Sequence, residues 1–194
     1  MKKIVFLLLF LLGFTCLSFS QTLYKIEKDG LVGYVNDSGK EIIECKYPHA
    51  YTDTIKNLGF AFDAKKKKIV CFDNQGKELF HVFSVDNGPD DISDGLFRII
   101  SNAKVGFANA KGEIVISPQY FVASSFKNGI AQITYKGKKK KEGEYTRIIA
   151  GKWGLINTKG EVIIPCYYDD IVFCEDGSLN LINGGHVVNI RIMQ

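Results

Sequence analysis

Along most of this chain, short apolar runs alternate with clusters of Gly, Asn, Asp and Lys. Apolar residues flank a single polar one in Leu96-Phe97-Arg98-Ile99 and in Ile130-Ala131-Gln132-Ile133, an alternation suited to half-buried strands. Four β-branched or apolar runs, Ile42-Ile43, Leu79-Phe80, Ile114-Val115-Ile116 and Val162-Ile163-Ile164, each follow a turn signal at a similar offset. That signal is one short block repeated four times: Asn36 to Gly39, Asp73 to Gly76, Asn109 to Gly112 and Asn157 to Gly160. Asn or Asp followed by Gly three positions on predicts a type I turn closed by a residue at positive φ, which is a β-hairpin connection. Each block is preceded by a short apolar strand, Trp153-Gly154-Leu155-Ile156 being the clearest. Four hairpins at near-fixed spacing argue for strands and against any helical fold.

The turn glycines are 37, 36 and 48 residues apart, and the long last interval is taken up by a Lys-rich insertion near residues 136–145. Tyr47, Tyr120 and Tyr168 each fall eight residues after their turn glycine. Further polar turns ending in Gly (Asp94-Gly95, Asn128-Gly129, Asp176-Gly177) precede the next strand of each unit. Each repeat is thus about three antiparallel strands, with connections too short for crossover helices. One such unit cannot bury its apolar face alone, so neighbours must stack. The repeats run roughly over 29–63, 65–100, 102–134 and 150–183, with a partial closing unit over 184–194. The copy around Val70 is degenerate, with Val where the others have Gly33, Gly106 and Gly154.

Gly151-Lys-Trp-Gly-Leu-Ile-Asn157-Thr-Lys-Gly160-Glu-Val-Ile-Ile-Pro165, with Tyr168-Asp169-Asp170, closely resembles the WG (or KWG) repeat. The resemblance is good around Gly106, fair around Gly33 and poor around Val70; Val32, Ile69 and Val105 stand where the eponymous Trp would be. It implies a β-repeat protein of bacterial type, often exported, with no defined activity and no catalytic residues to carry over. The fold class expected is therefore all-β, tandem three-stranded units in an open curved stack. A closed propeller-like ring is the alternative; the irregular spacing and the degenerate second copy favour the open form.

The first twenty residues change the picture of compartment. Met1-Lys2-Lys3, the apolar run Ile4–Leu12, and small Ser18 and Ser20 compose a secretory signal helix, cleaved before Gln21. The apolar run is short of the ~20 residues a span needs. Residues 13–15 lack the pattern that lipidation at Cys16 normally requires. The expected mature domain is 21–194, periplasmic or secreted. Two of the 25 basic residues lie in the leader, which leaves 23 against 21 acidic ones, a net charge of +2. So neutral a balance, with export, argues against nucleic acid as a partner. Cys45, Cys71, Cys166 and Cys174 remain, and their pairing is left open.

Candidate chemistry is sparse. No Cys or His cluster has metal-ligand spacing, and neither a metal nor another cofactor is expected. His49, His81 and His186 lie in no nucleophile or zinc-helix context. The acidic stretch Asp86–Asp91 with Asp94 lacks the spacing of a calcium loop and reads as a polar turn. Two lysine runs, Lys65–Lys68 and Lys136 with Lys138–Lys141, precede turn blocks and are expected at hairpin tips. Edge protection is the simpler role for both. The second is the better candidate partner surface because the repeat does not require it. Lys138, Lys139, Lys140 and Lys141 with Trp153 are therefore the candidate ligand or partner surface; the aromatics themselves read first as packing residues. No enzyme is expected. The expected function is a binding or scaffold module for another envelope protein, with an envelope glycan or anionic lipid as the alternative partner.

Overall fold

The computed structural model describes residues 21–143 and 145–192, the side chains of 145–147 excepted. The leader expected over 1–20 lies outside the described residues. Every described element is a β-strand. The first unit is a meander of β1 (Leu23–Lys28), β2 (Leu31–Asn36) and β3 (Glu41–Tyr47), followed by two short strands, β4 (His49–Ala50) and β5 (Thr54–Ile55). The second comprises β6 (Leu58–Asp63), β7 (Lys68–Asp73) and β8 (Glu78–Val82), with a small hairpin of β9 (Ser84–Val85) and β10 (Gly88–Pro89) after it. The third is β11 (Leu96–Ser101), β12 (Lys104–Asn109) and β13 (Ile114–Tyr120), with β14 (Val122–Ala123) as its continuation. In the fourth, a hairpin of β16 (Lys138–Glu142) and β17 (Tyr145–Ile149) separates β15 (Ile130–Thr134) from β18 (Trp153–Asn157) and β19 (Val162–Tyr168). The chain closes with β20 (Asp170–Phe173), β21 (Leu179–Asn183) and β22 (His186–Ile190).

The four Asn or Asp turns share one geometry. The side-chain oxygen of Asn36 accepts from the backbone N–H of Ser38 and Lys40 at 3.1 and 3.0 Å. Asp73, Asn109 and Asn157 do the same with the residues two and four positions on. Gly39, Gly76, Gly112 and Gly160 then adopt φ between 77° and 83°, which only Gly reaches without steric cost.

The units are linked by strands that change sheets. After pairing within its own unit, the third strand runs on and pairs with the first strand of the next: β4 on β6, β8 on β11, β14 on β15 and β20 on β21. The apolar clusters follow this linkage. Tyr34, Ile43 and Tyr47 of the first unit share a core with Ala61, Val70 and Phe72 of the second. Phe107, Ile116 and Tyr120 share one with Ala131, Ile133 and Ile156, and Leu155 and Ile164 with Leu179 and Leu181. Burial is thus completed between neighbours, as stacking repeats require. The turns stack too. A Cβ at Gly76 would meet Ile42 at 2.7 Å, one at Gly112 would meet Leu79 at 2.7 Å, and one at Gly160 would meet Ile116 at 3.2 Å, whereas Gly39 has nothing within 4 Å. Among the described residues no strand pairing joins the first sheet (β3-β2-β1-β5) to the last (β20-β21-β22), and no sheet closes into a barrel.

The second unit departs from the others for a legible reason. In units one, three and four the third strand bulges: Val32 pairs with Tyr47 but Tyr34 with Ile43, so three residues of β3 face Gly33. The same slip recurs opposite Gly106 and Gly154. The bulged backbone comes so close that a Cβ at Gly106 would sit 2.5 Å from the Ile116 carbonyl oxygen, a contact no side chain tolerates. Val70 occupies this position in the second unit, and there the ladder runs Ile69↔Val82, Val70↔His81, Cys71↔Phe80 without a slip at Val70. β8, in register opposite Val70 and slipping only between Cys71 and Phe72, also pairs with β11, which fuses the second and third units into one seven-stranded sheet, β13-β12-β11-β8-β7-β6-β4.

Candidate functional site

The residues singled out in the sequence are not one constellation. Trp153 is half-buried in β18, opposite Tyr168, and packs against the cluster of Leu155, Ile164 and Ile171. Tyr47 and Tyr120 are buried, their rings 5.4 Å from Phe72 and 5.3 Å from Tyr135. These aromatics form core, not an exposed ladder. Lys138, Lys139, Lys140 and Lys141 do not sit at a hairpin tip either. They form most of β16, exposed and paired residue by residue with β17. No hydrogen bond, ion pair or ring contact among the described residues joins them to Trp153. The Lys65–Lys68 run does form a tip, between β6 and β7. Asp63 accepts from the backbone N–H of Lys65 and Lys66, and the Lys66 ammonium pairs with Glu78 at 2.8 Å.

The acidic stretch also has a structural partner. Asp90 is buried, and its carboxylate meets Arg98 in a fork: Nη2 to Oδ1 at 2.6 Å and Nε to Oδ2 at 3.0 Å, with the Arg98 backbone N–H at 2.8 Å. The guanidinium lies 4.1 Å from the Phe83 ring centre and donates to the Ala123 carbonyl. Asp94 in turn accepts from Gly129 N–H in the next unit. These carboxylates clasp units together. Among the described residues no group of three or more His, Cys, Asp or Glu is placed to hold a metal.

The thiols are quiet. All four described cysteines are unpaired. Burial pushes Cys71 up to about 12 and raises Cys45 and Cys166 as well, opposite in sense to an activated nucleophile. His81 is lowered, first by burial and then by Lys68 and Lys66, and among the described residues its buried Nε2 has no hydrogen-bond partner.

What the sequence did not single out is an apolar surface on the third strands. β13 and β19 are edge strands of their sheets. At the second and third positions after the turn glycine they expose Ile114 (51%) and Val115 (42%), and Val162 (53%) and Ile163 (36%). The second position in the first two units is Glu41 and Glu78, held by Lys28 at 2.5 Å and by Lys66. Beside Ile114 opens a cleft of about 390 Å³ lined by Leu79, Phe80, Ile99, Ile100 and Pro118 among others. The signal was present in the sequence as Glu-Ile and Glu-Leu in two copies against Ile-Val and Val-Ile in the other two. Reading it as surface needed the knowledge that these strands lie at open edges.

The model of the WG containing repeat matches residues 33–61, 106–138 and 153–177. A WG-repeat domain is therefore present in this chain. The three matches begin at or next to Gly33, Gly106 and Gly154, the glycines under the bulges, and pass over the unit with Val70. Repeats of this kind are in general non-catalytic. No curated protein matches the chain.

Proposed function

We propose that this chain is an exported, non-catalytic scaffold that docks a partner protein along the open edges of its third and fourth units. One observation carries the reading: Ile114, Val115, Val162 and Ile163 are exposed at equivalent positions of two edge strands, and Ile114 lines a largely apolar cleft. An unprotected edge offers main-chain donors and acceptors to an added strand, while the flanking apolar side chains supply specificity. Single-domain proteins ordinarily blunt such edges with charge, as Glu41 does on β3, the edge strand of the first unit. Export rests on the leader pattern of residues 1–20, and the non-catalytic reading on the repeat family and on thiols and carboxylates already committed to packing and clasps.

The test is cross-linked capture of the tagged chain from its own cells, followed by mass spectrometry. The unaltered chain is expected to enrich one or two dominant proteins. The pair Val115→Lys and Ile163→Lys, both on exposed positions, should lower their recovery about tenfold or more, the scale of losing a central interface contact. Recovery undiminished by that pair would contradict the reading.

A further inference from the structure

We infer that the inserted β16–β17 hairpin is an arm that binds anionic lipid surfaces. The stack does not need it: β15 pairs with β18 directly, Ile130↔Asn157 through Ile133↔Gly154, and the arm forms a separate two-stranded sheet. Two-stranded hairpins are marginal in water, and this one is held to the body by contact with Phe121. The Lys139 ammonium lies 5.7 Å from the Phe121 ring centre and that of Lys104, from the neighbouring β11–β12 tip, 6.0 Å from it on the same ring. Gly137 packs close to Phe121 and Ile148.

Among the described residues the charge on the arm is answered from within at one lysine of four. Among the described residues Lys138, Lys139 and Lys141 have no carboxylate partner, and Lys140 alone pairs with Glu142, at 3.2 Å. At the Lys65–Lys68 tip two carboxylates, Asp63 and Glu78, converge on Lys66, and Lys65, Lys67 and Lys68 have no carboxylate partner among the described residues. Consecutive lysines on a strand point alternately to its two faces, so one face carries Lys139 with Ile148 towards Phe121. The other carries Lys138 and Lys140, with Ile149 opposite Lys138 and 36% exposed. Cations flanking an exposed aliphatic group suit the boundary between headgroups and acyl chains. A strand of lysines alternating between two faces, with an aliphatic side chain exposed beside them, fits a planar field of mobile charges, and each lysine near such a surface adds attraction that salt screens.

The proposal is independent of the docking edge. It is tested by co-sedimenting the full chain with phosphatidylcholine vesicles, with and without phosphatidylglycerol, over a salt series. Binding is expected with the anionic vesicles alone and should fade as salt rises. Changing Lys138–Lys141 to Gln should lower partitioning about tenfold or more, while the same change at Lys65–Lys68, equal in charge lost, should leave it within about twofold. Circular dichroism should show both variants folded as the parent is. Equal losses in the two variants would reduce the effect to net charge and overturn the proposal. So would binding to dextran sulfate without binding to anionic vesicles, which would point to a glycan.

Discussion

At the level of single residues, the glycine that precedes each turn block is decisive, for a reason of space. Gly33, Gly106 and Gly154 lie beneath a bulge whose backbone leaves no room for a Cβ. Gly106→Ala is expected to destabilise the domain by about 1–3 kcal/mol, the usual cost of forcing atoms into a packed site. A urea midpoint shifted at constant slope would check it; an unchanged midpoint would mean that the bulge yields freely. Val70 shows the other solution, since the strand opposite it does not slip there. Its departure from the block was legible in the sequence. Its consequence was not, because a missing glycine does not say which partner the straightened strand will take.

Between elements, the clasp of Asp90 and Arg98 ties the loop after β10 to β11 and, through Ala123, to β14. Their side chains are 3% and 13% exposed, so removing one leaves the other charged and poorly solvated. Asp90→Ala should cost about 3–5 kcal/mol, and the double change Asp90→Leu with Arg98→Met should recover much of that. Thermal or urea unfolding of the three variants measures it; a double variant as unstable as the single one would show that packing, not the unpaired charge, dominates. The turns and meanders could be read from sequence because Asn-to-Gly spacing and alternation are local signals. The clasp could not, since an acid and a base eight residues apart are common in any loop. The lysine insertion was visible as a break in spacing, yet four consecutive lysines gave no alternation from which to foresee a strand in place of a tip.

At the scale of the whole molecule, burial is shared between consecutive units and the turns rest on the strand before them, which gives the array a direction. The all-β repeat character and the need for stacking followed from periodicity. Which strands end as open edges did not, because that depends on where β8 joins β11 and where β13 and β19 are left unpaired on one side. For the same reason the apolar runs after the turns did not by themselves reveal that Ile114, Val115, Val162 and Ile163 face outward. The docking claim is tested most directly by placing a photo-activated cross-linking residue, one at a time, at Ile114, Val162 and Glu41, equivalent positions of three units. The same discrete protein adduct from Ile114 and Val162, and none from Glu41, is the expected result. Adducts from all three positions alike, or from none, would contradict a partner docked on the open edges.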